Sequence, residues 1–103
     1  MPQLNSAVIN TSTAADQAIV AAVSGKVIKV YQLEIMGLAS LTIQPKDGAG
    51  GTAFTGVITT AAGIPLVLPY TGVPWFVTTS GNAFVIATSA FQCSGHCQYE
   101  ITG

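Results

Sequence analysis

Short apolar runs alternate with turn signals along this chain at intervals of about ten residues, the pattern of an all-β sandwich or barrel. Residues 1–13 are polar and weakly patterned, and read as an arm or a short edge strand. Beyond them the alternation predicts strands over residues 17–23, 26–36, 40–44, 52–60, 64–68, 75–79, 83–93 and 96–102. The expected architecture is a single antiparallel β-sandwich, jelly-roll-like, of about eight strands over residues 14–103, with the arm in front. Residues 14–23 hold enough alanine for a helix. They lack a charged face, however, and Ile19, Val20 and Val23 are β-branched, so the strand is preferred.

The punctuation sharpens this outline. Pro45-Lys46-Asp47-Gly48 is the clearest turn in the sequence, with residues 49–51 extending the loop. Pro65 and Pro69 bound the strand at 64–68, and a residue without a ladder donor places that strand at an edge. Residues 70–74 are a loop. In the long strand 26–36, Ile28 and Val30 lie on one face while Tyr31, Leu33 and Ile35 lie on the other. Apolar side chains on both faces predict a bulge, or contacts on each side. Near the end, Ser94-Gly95 reads as a two-residue hairpin turn that pairs Cys93 with His96 and sends Cys97 to the opposite face.

Length and charge then narrow the function. A chain of 103 residues and 10.5 kDa is one domain at most. At that mass folding leaves roughly 5,400 Å² exposed, enough burial for one core. Half of the residues are hydrophobic and only 7% are charged, against about 25% in ordinary domains. Disorder is excluded on that ground. Three lysines, no arginine and a net charge of −1 argue against a nucleic-acid partner. The most apolar run, residues 64–77, carries Pro65, Pro69 and Pro74, so no membrane-spanning helix is expected. The N-terminus lacks a basic region followed by an apolar block, and no secretory signal is read there. No formal charge falls between Asp47 and Glu100. An uncharged surface of that size points to burial against copies of the same chain or a partner.

Candidate chemistry is sparse. Cys93, His96 and Cys97 are three ligand-type residues within five positions, without an obvious fourth for zinc. The hairpin register would also strain a Cys93–Cys97 disulfide. Nothing nearby would orient His96 as a base for Cys93, and no enzyme, metal or cofactor is expected. Tyr70, Trp75 and Phe76 cluster around the proline-rich loop and fit a core plug, a partner contact or a sugar-stacking platform.

The segment AIVAAVSGKVIKVYQLEI, a Gly-rich loop, GIPLVLPYTGVPWFVTTSGNAFVIATSA and GHCQYEI together resemble small capsid decoration, or cement, proteins of tailed bacteriophages, over about residues 17 to 101. That resemblance implies a virion structural protein with a β-sandwich fold. Such a protein is made in the host cytoplasm and placed on the capsid surface. Its partners would be itself, as a homotrimer, and the major capsid protein, held by non-covalent contacts without cofactor, nucleic acid or membrane. The expected partner or oligomer contacts are Tyr70, Trp75, Phe76, Tyr31, Leu33 and Phe91, and the expected capsid-binding arm carries Leu4, Val8 and Ile9. A receptor- or carbohydrate-binding module of a phage tail fibre is the alternative.

Overall fold

A computed structural model of the chain describes residues 4–11, 15–89 and 92–103. Ten strands and no helix make up the described residues: β1 (Asn5–Thr11), β2 (Asp16–Val20), β3 (Val27–Gly37), β4 (Leu41–Asp47), β5 (Thr52–Ala53), β6 (Ile58–Thr60), β7 (Leu66–Leu68), β8 (Phe76–Val77), β9 (Phe84–Thr88) and β10 (Cys93–Thr102). They form two antiparallel sheets packed face to face. Sheet A runs β1-β10-β3-β7, with β8 also on β3; sheet B runs β2-β9-β4-β5, with β6 also on β4. The first four strands alternate between the sheets, and the ends of the chain pair β1 with β10 and β2 with β9. This is the jelly-roll order. The two strands beyond the eight expected are β1 and the second strand gained where the one predicted over 52–60 divides into β5 and β6.

The core lies between the sheets. Its main residues are Ile28, Val30, Leu33 and Ile35 from β3, Leu41 and Ile43 from β4, Phe84 and Ile86 from β9, and Cys93 and Cys97 from β10. Phe54, Phe76 and Phe84 close one end as an aromatic stack, with ring centroids 5.1 Å apart for Phe54–Phe76 and 5.9 Å for Phe76–Phe84. The total exposed area of 5177 Å² is close to the value that mass alone predicts for a folded monomer.

The bulge expected in the second predicted strand is present. Gln98 pairs with Gln32 and Tyr99 with Val30, so Tyr31 is the extra residue on β3. One inserted residue inverts the side-chain parity. Ile28 and Val30 before it and Leu33 and Ile35 after it all reach the same core, while Tyr31 is turned to the outer face.

Four sequence expectations are corrected. The 45–48 turn is not a turn: Pro45, Lys46 and Asp47 continue β4, opposite Ile86, Val85 and Phe84. The reversal comes at residues 48–51, closed by the Gly51 amide donating to the Gly48 carbonyl, 3.0 Å, with Gly48 and Gly50 at positive φ. The strand predicted at 52–60 is two strands. Pro45 offers only its carbonyl on that side, to the Phe54 amide, and its missing donor falls at the gap between β5 and β6. The strand at 75–79 shrinks to Phe76–Val77, although Thr78 stays tied to Ile28 by bonds of 2.9 Å in both directions.

The fourth correction is the largest. Ser94-Gly95 makes no hairpin: β10 runs straight from Cys93 to Thr102 in sheet A, whereas β9 belongs to sheet B. Gly95 is required by space. A Cβ there would collide with the Glu34 carbonyl oxygen on β3. Within the stretch read as an arm or a short edge strand, residues 5–11 form the edge strand β1. β1 pairs with β10 from Asn5↔Tyr99 to Thr11↔Cys93 and puts Ile9 into the core.

Candidate interaction surface

Strand parity decides which side chains reach the outside of sheet A. Counting from the buried positions, the outer face carries Ser6, Val8 and Asn10 from β1, Ser94, His96, Gln98 and Glu100 from β10, and Lys29, Tyr31, Gln32, Glu34 and Met36 from β3. One row crosses the whole sheet: Val8 opposite His96, His96 opposite Glu34, Glu34 opposite Val67. The two ends of that row are exposed valines, Val8 at 78% and Val67 at 47%.

The β7–β8 edge carries a run of exposed apolar side chains. Ile64, Val67, Tyr70, Val73, Trp75 and Val77 are all exposed and all come from one uncharged stretch of fourteen positions, 64–77. The three prolines explain the exposure. They keep β7 to three residues and make 69–75 a strap rather than a strand, so apolar side chains have no neighbouring strand to lie against. The strap is nevertheless fixed. The Trp75 indole Nε1 donates to the Pro69 carbonyl at 2.8 Å, the Trp75 amide bonds the Val30 carbonyl at 2.8 Å, and the Tyr70 ring lies 5.7 Å from that of Tyr31. Burial pushes the Tyr31 phenol above its ordinary pKa, and the nearby Glu100 carboxylate adds to the shift.

The residues singled out by sequence are divided by this geometry. Tyr70 and Trp75 are exposed contact candidates, and Val8 is the most exposed apolar residue of β1. Leu33, Phe76 and Ile9 are core residues and cannot meet a partner without unfolding, and Tyr31 is covered at 6% exposure. Leu4 is half-buried, and Phe91 lies outside the described residues. A sugar platform therefore loses one of its three rings to the core. Val67, Val73, Val77 and Met36 were not singled out, although the uncharged run containing the first three was visible.

The cysteine cluster is taken apart by the straight path of β10. Cys93 and Cys97 sit on the inner face, four residues apart and fully buried, and His96 points outward. At a rise of about 3.3 Å per residue the two thiols are some 13 Å apart along the strand, beyond disulfide reach. Burial pushes the Cys93 thiol up and carries Cys97 to about 11, the latter against a hydrogen bond from the Ala7 amide. Both are held as neutral thiols.

The stretch 64–77 itself carries no charge, although Glu34 and Lys29 on β3 pair with its Val67 and Val77. Lys46 bonds Asp16 at 3.3 Å across β9, and Asp16 also accepts the Gly50 amide at 2.7 Å. Asp47 accepts the Thr79 amide at 2.9 Å, the Thr79 hydroxyl at 2.5 Å and the Asn82 side-chain amide at 3.2 Å. It thereby clamps the end of β4 to the turn before β9. Lys29 and Glu100 are cross-strand neighbours.

No family profile matches the sequence, and neither does any curated protein. Among solved structures, one from Bacillus endospore appendages, described as a novel family of disulfide-linked pili, is similar over 97% of this chain and 86% of its own. Its TM-score is 0.57 and 16% of the residues are identical. At that identity the likeness is one of fold: a β-sandwich of the same general architecture.

Proposed function

We propose that this protein is a structural subunit that self-associates within a larger protein assembly and performs no chemistry of its own. The observation that carries the reading is the stretch 64–77, which supplies β7 and β8 to the edge of sheet A and exposes six apolar side chains without a charge among them. Exposed apolar patches of this kind mark interfaces in monomeric folds. The matched pilus subunit supports the same broad class, since its sandwich also builds an assembly. Its linkage by disulfides does not carry over, because both cysteines of this sequence are sealed in the core. The joints here are non-covalent.

The finer reading is a decoration protein on a phage head, trimeric and bound to the major capsid protein, and rests on the resemblance over residues 17 to 101. Light scattering on a size-exclusion column tests the broad reading. A mass several times 10.5 kDa, unchanged by reductant, is the expected outcome; a monomer at every concentration ends it. Co-sedimentation with capsids tests the finer one, and decoration unaffected by Trp75→Ala and Tyr70→Ala would remove those rings from the contact.

A further inference from the structure

The geometry points to a specific joint: the β1 edge of one copy pairs with the β7 edge of the next, so that sheet A continues from molecule to molecule. The inference rests on the self-association proposed above and names the surface that performs it.

Sheet edges are normally protected by charge, proline, bulges or shortness. β2 carries Asp16 and a bulge between Ala18 and Val20; β5 and β6 have two and three residues; β7 is cut short by Pro65 and Pro69. β1 has none of these devices. It is seven residues long, contains no charge and no proline, and pairs with β10 in unbroken register. Among the described residues no strand covers its other side.

The occupant is a second copy because the two edges of sheet A fit each other in direction, face and register. β1, β10, β3 and β7 alternate in direction, so β7 and the β1 of a translated copy are antiparallel. Hydrogen-bonded and non-hydrogen-bonded pairs also alternate along each row of an antiparallel sheet, and a repeat of four strands preserves that phase across the junction. The rows match by chemistry as well. The outer row runs from Val8 to Val67, and the flanking inner rows run from Ala7 to Leu68 and from Ile9 to Leu66. Joining copies places Val67 beside Val8, Leu68 beside Ala7 and Leu66 beside Ile9: three apolar pairs, with outer residues on the outer face and inner residues facing the core. Pro65 and Pro69 end the pairing after these three rows and thereby set its register. Charge does not oppose it, since neither β1 nor residues 64–77 carry any. The contact is heterologous, so repetition closes a ring or grows a fibre.

The test is a Val8→Cys, Val67→Cys double variant, mildly oxidised at concentrations where the native protein is oligomeric. Both positions are exposed, and paired strands bring Cα atoms to about 4.5–5.5 Å, within disulfide range. A ladder of covalent multimers on denaturing gels, collapsed by reductant and absent from either single variant, is expected. Val8→Lys should weaken association about tenfold, and Val8→Lys with Val67→Glu should restore most of it. A covalent dimer from Val8→Cys alone would overturn the proposal in favour of two β1 edges meeting about a two-fold axis. An oligomer that gives no cross-link would overturn the joint and leave self-association standing. A native monomer would remove self-association itself.

Discussion

Individual residues carry much of the specificity in a protein with so few charges. Asp47 has three donors on one carboxylate. Burial works against its charge, but the Thr79 hydroxyl and amide and the Asn82 amide outweigh it and hold its pKa below the usual 3.8. The Gly50 amide does the same for Asp16, against some desolvation and with help from Lys46. Both native pKa values are depressed, so the unfolded chain binds protons first as the pH falls. The stabilisation is complete above the unfolded value and lost as the pH drops through the folded one. Thermal melts should therefore be level from neutrality to about pH 5 and fall below it, with a shallower acid limb in Asp47→Asn. Asp47→Ala should cost about 1 kcal/mol at neutral pH, its partly exposed site being screened by water. Gly95→Ala should cost more than about 2 kcal/mol because the Glu34 backbone has to move. Gly50→Ala, in open space but at a φ of +67, should cost about 1 kcal/mol. Chemical unfolding of the two variants would show the order. Neither cysteine should react with an aromatic disulfide reagent in the native state, and both should react in denaturant.

At the scale of elements, β1 and the 64–77 segment are the two whose roles the structure changes most. In sequence the stretch containing β1 reads as an arm or a short edge strand, with Leu4, Val8 and Ile9 as capsid contacts. β1 is an edge strand that supplies Ile9 to the core, at 1% exposure, and presents Val8 to the outside. Ile9→Ala should destabilise by about 2–4 kcal/mol, whereas Val8→Ala should fall within about 0.5 kcal/mol, measured by denaturant midpoint. Removing residues 1–11 would uncover both the core and the β10 edge, so that truncation should lower stability as well as any binding. The bulge at Tyr31 was legible because the apolar set changes face within one run. The split of β5 from β6 was less so. It follows from Pro45 lying mid-strand, and proline beside lysine, aspartate and glycine looks locally like a turn. The strand edge at Pro65 and Pro69 was legible for the complementary reason: a missing donor excludes a central position wherever it falls.

The molecule as a whole keeps charge out of the 64–77 stretch itself, while Lys29, Glu34 and Glu100 lie beside it on the outer face of sheet A. The Asp16–Lys46 pair lies on sheet B and the Asp47 clamp at one end of the sandwich. The uncharged stretch borders sheet A. An assembled state would remove that border from water. Its mass should respond to concentration and little to ionic strength, in contrast to an assembly steered by charge, and light scattering across a salt series reads this directly. Of the eight contact residues named from sequence that lie among the described residues, Tyr70, Trp75 and Val8 are the exposed ones. The exposed apolar edge coincides with the uncharged run. Aromaticity within that run does not separate surface from core, since Tyr70 and Trp75 are exposed and Phe76 is buried.

Local rules account for what the sequence by itself determined. Period-two alternation and turn residues set an all-β chain of short strands, the proline-bounded edge and the bulge. Composition set a single core and a surface poor in charge. Tertiary structure alone decided where β9 ends and which sheet β10 joins, and with that the faces taken by Cys93, His96 and Cys97. Gly95 shows why. A glycine in a strand signals either a turn or the close approach of another backbone, and the deciding atom, the Glu34 carbonyl oxygen, lies on a strand 61 positions earlier in the chain. Pairing over that distance is set by the fit of whole sheets, which no window of neighbouring residues contains.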